Sequence, residues 1–525
     1  MKKINLVSNL KHDLPASIVV FFVAIPLCLG IALASGAPLF SGLIAGIIGG
    51  IFVGLISGSQ IGVSGPAAGL AAIVLSAISA LGSFEIFLLS VFLGGMFQLF
   101  LGILKAGVIG YYFPTSVIRG MLTGIGLIII IKQIPYFFGY DPEMAQESAK
   151  KGLSIFNSIN MGSTIVAFIG FGILLLWDKV LSKKSRFFQL IQGPLVAVLV
   201  GILYTHLTLG NNTLGLPTKN LVNVPQSSDL AGLLSNFTFP NFSAITNKEV
   251  WIVALTIALV ASLETLLCVE ATDKLDEQKR ITPKNKELIA QGLGNMISGL
   301  IGGLPITQVI VRSSANIQSG GKTKISAILH GVFLLISVMT IPGLLNMIPL
   351  SVLAAILLIV GYKLAKPKLF VSIFKLGWRQ FLPFITTVLG IIATDLLVGI
   401  VLGLIVGVYF ILVDSYKNSH ALIVKRSSEG KDKYRISFAE EVTFVNKVPI
   451  MKELERLPNE AELELDVRNT KFLDFDILDT INDFLSTNAH KKINVDLITE
   501  RGVFEGPLDL YRTIFPHQKN RITTV

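Results

Sequence analysis

The chain has 525 residues, 52% of them hydrophobic and only 15% charged, with a formal net charge of +10. A soluble domain carries about 25% charged residues. The composition therefore excludes an ordinary soluble enzyme and points to a polytopic α-helical membrane protein, in which each span takes about 20 apolar residues. The Lys and Arg residues sit in loops and in the tail, as the positive-inside rule expects. The charge is thus no nucleic-acid signal, and no nucleic-acid partner is expected.

In chain order, the first span covers about residues 14–34 and contains Pro26, which should interrupt its hydrogen-bond ladder. No small-residue cleavage site follows the basic N-terminus, so this span reads as a retained helix. A second span covers about 39–57. The stretch SGSQIGVSGPAAGLAAIVLSAISAL, Ser57 to Leu81, is then broken at Gly65-Pro66 and continues as a short helix of small residues. Further spans follow at about 86–104, 116–138, 162–177 and 193–204. A polar connector covers about 205–249. The second half opens with WIVALTIALVASLETLLCVEATDKL, and the charged run DKLDEQKRITPKNKE after it reads as a cytoplasmic loop. Spans continue at about 288–300, 325–341, 344–360, 381–393 and 396–413.

Between them lies GGLPITQVIVRSSANIQSGGKTK, Gly302 to Lys324. Gly302, Gly303 and Pro305 stop a continuous helix, and a new one over about 306–317 begins after the break. Its first turn has free N–H groups and a partial positive charge. At membrane depth such an end needs cover from protein or a water-filled cavity, and its natural occupant is an anion. Each half therefore has a Gly/Pro-broken helix as its third span. Paired breaks of this kind point to a repeat-built transporter with its site at the repeat interface.

After about Tyr416 the pattern changes. KYRISFAEEVTFV reads as one or two strands, ELELDV as a buried strand, DFDILDTINDFLSTNA as an amphipathic helix, KKINVDLI as a strand and GPLDLYRTIF as a final helix. The division is a membrane domain over 1–415 and a small cytoplasmic α/β domain over 416–525.

The stretches Lys286–Lys324, KELIAQGLGNMISGLIGGLPITQVIVRSSANIQSGGKTK, and Gly62–Leu70, GVSGPAAGL, resemble the SulP anion transporters, or sulfate permeases. The resemblance covers nearly the whole chain, and the tail resembles a divergent STAS domain. It implies about fourteen transmembrane segments in two inverted repeats of seven, a core domain moving against a gate domain like an elevator, and a homodimer. It places a small inorganic anion between the facing N-termini of the third and tenth segments.

Candidate site residues follow. Glu264 is an ionisable group inside an apolar span, where a charge costs ~2.5 kcal/mol or more, so it should face the protein interior and a partner. It suits a proton carrier, a sodium ligand or a structural carboxylate. In related bicarbonate transporters an acid here resembles a sodium ligand, with a hydroxyl one turn later. Here that position is Cys268, a poor sodium ligand, which weakens the sodium reading. Glu270 and Asp273, nearer the loop, read as structural. Arg312 reads as a cation that attracts the anion, or as a partner for Glu264 or for helix-end carbonyls. Gln308, Val309 and Ile310 on the tenth segment, and Gly65, Pro66, Ala67 and Ala68 on the third, are expected to offer backbone N–H groups. Pro26 and Leu27 resemble the first-segment position that lines the pocket.

Cys28 and Cys268 read as packing residues without disulfide or metal spacing. Asp395 reads as a helix N-cap, and His12 and His330 as flanking spans. Asp474-Phe475-Asp476 stands where some STAS domains carry a phosphorylatable Ser, so no phosphorylation switch is expected there. No catalytic constellation, P-loop or Cys/His cluster is present, so neither catalysis nor a cofactor is expected. The expected function is secondary active transport of bicarbonate or sulfate, coupled to H+ or Na+, in the cell (inner) membrane with both termini cytoplasmic. The alternatives are an uncoupled anion channel, a dicarboxylate transporter or a membrane sensor.

Overall fold

The structure is a computed structural model that describes residues 9–111, 114–140, 159–184, 188, 191–211, 214–226, 230–394, 396–426, 432–487, 491–500 and 502–505. It divides into two compact units, Met1–Leu404 and Ile405–Val525. Asp395 and the expected final helix over 506–515 lie outside the described residues.

The first unit is built from apolar helices. In the first half they are α1 (Leu10–Ala34), α2 (Leu39–Ile48), α3 (Ala68–Leu81), α4 (Phe84–Ile103), α5 (Thr115–Phe137), α6 (Met161–Leu176) and α7 (Gly193–Leu207). In the second half they are α8 (Lys248–Leu275), α9 (Lys284–Ile301), α10 (Ile310–Gln318), α11 (Ile325–Thr340), α12 (Leu350–Leu364) and α13 (Trp378–Ala393), followed by α14 (Leu396–Lys417), within which the division between the units falls. Among the described residues, eight helical stretches are long and apolar enough to cross a membrane, and four shorter helices are also apolar.

The helices sort into two groups. In one, α4 packs against α8 and α9, and α1 against α2, α10 and α11. In the other, α5 packs against α12 and α13, and α6 against α7 and α12. Helices α4 and α9 approach backbone to backbone. Added Cβ atoms at Gly95, Gly292 and Gly299 would each lie 2.6 Å from a backbone nitrogen of the facing helix, so only glycine allows this contact.

Two features depart from simple spans. Helix α2 relaxes into a π-helical turn over Gly49–Val53 before ending at Ile56. Gly49 lies against the Ser64 carbonyl and Gly50 against Gly331 and the His330 ring, so the widened turn is where α2 meets its neighbours at close range. The two breaks are also more than helix interruptions. Ser64–Pro66 is strand β1, and Ile306–Gln308 is strand β2. They pair antiparallel, Ser64 with Gln308, Gly65 with Thr307 and Pro66 with Ile306.

The second unit carries a five-stranded sheet. Its strands are β3 (His420–Arg426), β4 (Asp432–Phe438), β6 (Glu462–Asp466), β8 (Asn494–Thr499) and β9 (Gly502–Glu505), adjacent in that order. The short strands β5 (Glu441–Val442) and β7 (Phe472–Leu473) pair with each other. Helices α15 (Lys447–Glu455) and α16 (Phe475–Thr487) bury Ile450, Leu454, Ile477 and Ile481 in a core with Leu463, Leu465 and Leu497. Asp474 caps α16: its carboxylate accepts the amides of Asp476 and Phe444.

Candidate anion-binding site

The β1–β2 pair lies immediately before α3 and α10 in the chain, so it fixes where both helices begin. Neither helix has a side-chain N-cap: Ala67 and Val309 stand at the cap positions. The first-turn amides are therefore left to whatever faces them. The segment ahead of β1 is held by α10. Val309 N–H donates to Val63 O at 2.9 Å, Ser313 Oγ accepts from Val63 N at 3.0 Å, and Asn316 Nδ2 donates to Ile61 O at 2.9 Å.

Helix α8 packs across both ends. Glu264 and Cys268 are one turn apart on it. The Gly69 amide of α3 donates toward the Glu264 carboxylate, and the Ile310 amide of α10 toward Cys268. An added Cβ at Gly69 would lie 2.6 Å from both Glu264 carboxylate oxygens. One turn further along α8, Thr272 Oγ1 accepts from Gln308 Nε2 at 3.1 Å. Glu264 Oε2 is enclosed and accepts no hydrogen bond from the described protein groups. Glu264, Cys268, Ala68, Val309 and Ile310 each keep part of their surface accessible, whereas Gly65, Pro66, Ala67 and Gln308 are buried beneath them.

The site residues expected from sequence thus converge, with corrections. Val309 does not present a free amide, because its N–H is used in the contact with Val63. Pro66 has no N–H to offer; it ends β1 opposite Ile306. The first-turn amides that reach the site are those of Ala68 and Gly69 on α3 and of Ile310 on α10, and two of them already have a partner on α8: Gly69 in Glu264 and Ile310 in Cys268.

Arg312 is not paired with Glu264. It is 1% exposed, and its Nη2 donates to Cys28 Sγ at 3.2 Å, while Nε and Nη1 contact no acceptor among the described residues. Its guanidinium lies against Gly65, where an added Cβ would overlap Nη1. Cys28 is therefore a contact of the buried cation as well as a packing residue. Pro26 and Leu27 are buried on α1, within two residues of Cys28, where α1 runs against α10 and β1. His330 does not flank a span but lies inside α11, buried, with Nδ1 at 2.5 Å from Ala327 O.

Glu270 pairs with Lys274 at 2.7 Å on the surface, and Asp273 accepts from the Thr282 amide and hydroxyl. Both sit at the loop end of α8. Beyond that helix, Asp276 binds Arg280 at 2.7 Å. Burial pushes the Asp276 carboxyl up, but Arg280 and two loop amides outweigh it and hold it below the usual range. The residues that sequence reading missed are Gly69 and Thr272, which touch Glu264 and Gln308, and a set of polar side chains on α9. Their spacing of three or four residues was the available signal.

Comparison with known proteins gives the family and the fold. The sulfate permease family profile covers residues 10–387. The chain is 28% identical to YvdB of Bacillus subtilis over 437 residues, 81% of this chain and 79% of that protein. It resembles the solved transmembrane domain of a cyanobacterial bicarbonate transporter, BicA. There the TM-score is 0.62 at 25% identity, over 75% of this chain and 97% of that one. The fold of murine Slc26a9, an anion transporter solved in its inward-facing state, covers 95% of this chain and 86% of its own with a TM-score of 0.73 at 15% identity. Transporters, not enzymes, make up this family, and the chain is a multi-pass membrane protein belonging to the sulfate permease family.

Proposed function

We propose that the protein is a secondary active transporter of a small inorganic anion, bicarbonate or sulfate, bound between the N-terminal ends of α3 and α10. The observation that carries this reading is the β1–β2 pair. It brings two uncapped helix starts together beside Glu264, a residue with part of its surface accessible and one enclosed carboxylate oxygen. The two uncapped helix starts supply donors and a partial positive charge without a fixed ion, and buried Arg312 supplies the field behind them. The resulting attraction holds an anion firmly enough to enter and loosely enough to leave.

Glu264 is the coupling group in this reading. It lies beside the anion and touches the α3 amide, so a cation on Glu264 and an anion at the helix ends favour each other. Its orphan Oε2 supports a proton or Na+ there, and Cys268 in place of a hydroxyl favours the proton. The α1–α4 and α8–α11 group moves as an elevator core against the α5–α7 and α12–α14 gate, making fourteen segments in all. The tail from about residue 416 is a cytoplasmic STAS-like domain, both termini are cytoplasmic, and the protein works as a homodimer in the inner membrane.

The test is uptake of radiolabelled bicarbonate and sulfate into proteoliposomes under an imposed Na+ or H+ gradient. Accumulation driven by either gradient supports the reading and names the ion. Failure of both anions to accumulate under both gradients overturns it.

A further inference from the structure

One face of α9 carries a row of buried polar side chains: Glu287, Gln291, Asn295 and Ser298. They follow the four- and three-residue spacing of one helix face. The glycine seam against α4, with Gly292 and Gly299, lies next to this row, about a quarter-turn round the helix. Gln291, Asn295 and Ser298 are each hydrogen-bonded to one of the two chain breaks, and Glu287 to the Ser57–Ser59 turn that leads into the first.

Glu287 and Gln291 hold the first break. Ser57 Oγ donates to Glu287 Oε2 at 2.6 Å, and the Gly58 and Ser59 amides also face this carboxylate. Gln291 Nε2 donates to Glu287 Oε1 at 2.9 Å and to Ser64 Oγ of β1 at 2.7 Å. Every partner of Glu287 donates, so the residue serves as a pure acceptor. Ser57 Oγ in turn accepts from the Ser59 amide at 3.0 Å, which leaves its own proton for Glu287.

Asn295 and Ser298 hold the second break. Asn295 Oδ1 accepts from Ile306 N at 2.5 Å and Nδ2 donates to Ile306 O at 3.0 Å. Ile306 is the residue opposite Pro66, which has no N–H. The Asn295 amide thus binds both backbone groups of Ile306, as a neighbouring strand would. Gln98 of α4 fixes that amide through its Oε1, at 2.8 Å from Asn295 Nδ2. Ser298 Oγ donates to Leu304 O at 2.7 Å.

From this we infer that Glu287, Gln291 and Asn295 are positioning residues for anion transport: through one rigid helix they set the separation of the α3 and α10 starts, and thereby affinity. None of them points at the anion. They act through Ser64 and Ile306, the strand residues that precede the two helix ends. The inference rests on the proposed anion site, but the bracing itself does not.

The decisive pair of variants is Glu287→Gln alone and Glu287→Gln combined with Gln291→Glu. The single change keeps shape and replaces an acceptor with a donor opposite the donors of Ser57 and Gln291. The double change exchanges the roles, so the two side chains again complement each other and the Ser64 hydroxyl can donate. Two readouts are taken on the full-length protein in liposomes: KM and kcat of anion uptake, and hydrogen exchange of peptides covering residues 57–68 and 304–310.

For the single variant the expected result is a KM raised about tenfold, with kcat within about threefold, and faster exchange in 57–68 than in tail peptides. The double variant recovers both readouts. A single variant with unchanged KM and exchange overturns the inference, as does a defect that the double variant fails to recover. If the unmodified protein accumulates neither bicarbonate nor sulfate, the transport reading fails by itself. The exchange comparison still decides whether α9 braces the breaks.

Discussion

Gly69 and Glu264 are in contact, with the glycine's absent side chain leaving the room that the carboxylate occupies: a Cβ there would stand 2.6 Å from both of its oxygens. Replacement of Gly69 by Ala forces Glu264 aside or shifts α3. Overpacking of this kind destabilises by about 1–3 kcal/mol. We expect uptake by Gly69→Ala to fall at least tenfold. Adding Glu264→Ala should relieve the clash and restore thermal stability while leaving accumulation lost. A melting temperature that stays depressed in the double variant speaks against the contact.

Glu264→Gln separates coupled transport from passive conduction. If the carboxylate carries the coupling cation, this variant loses gradient-driven accumulation. Movement of anion down its own gradient persists at a rate within about tenfold of the original. Persistence of concentrative uptake in Glu264→Gln liposomes removes Glu264 from the coupling step. The amide keeps the size of the side chain, so packing changes little.

Arg312 is expected to act on affinity from behind β1, since the guanidinium lies against Gly65 and not between the helix ends. Arg312→Gln removes the positive charge and should raise KM about tenfold or more, a difference of about 1.4 kcal/mol. Cys28→Ser leaves an oxygen to accept from Nη2 and should change KM by less than about threefold. Equal effects from both would assign the role to the Arg312–Cys28 contact instead of to the charge.

The second unit should lose stability in acid through Glu464. Burial raises this carboxyl, but hydrogen bonds and charge from Arg435 and Lys433 outweigh burial and hold it below the usual glutamate range. A depressed carboxylate contributes its stabilisation above its unfolded pKa. That contribution disappears as pH falls through the folded one. We expect the tail transition in calorimetry of the full-length protein to move down as pH drops below the ordinary glutamate range. Glu464→Gln should lower it by about 0.5–1.5 kcal/mol at neutral pH and flatten the acid slope. An unchanged slope in the variant would place the acid sensitivity elsewhere.

The two breaks were legible because glycine and proline act locally: Gly65-Pro66 and Gly302 to Pro305 end helices whatever surrounds them. The pairing of Ser64–Pro66 with Ile306–Gln308 was not. Three residues carry no alternation, and the partner lies more than two hundred residues away. Arg312 and Glu264 were recognised as buried charges, but sequence spacing gives no direction across helices, so their pairing was open and proved not to exist. Glu287 was hidden for a different reason. It ends the charged run DKLDEQKRITPKNKE, which reads as a solvated loop, although it is already inside α9. In the tail, only two residues separate HALIVKR (β3) from the end of α14, and its apolar run lacks the alternation that marks a half-buried strand.

The β1–β2 ladder also constrains how the chain is made. Ser64 to Pro66 enters the bilayer early in synthesis, and its partner Ile306 to Gln308 is not yet translated. During that interval the first strand's polar backbone has no ladder, and in lipid each unmet group costs several kcal/mol. The nascent first half must therefore remain at a hydrated place, such as the insertion machinery or a water-filled fold of its own helices, until residue 308 arrives. Completion of a three-residue strand pair then marks the moment at which the two halves become one protein.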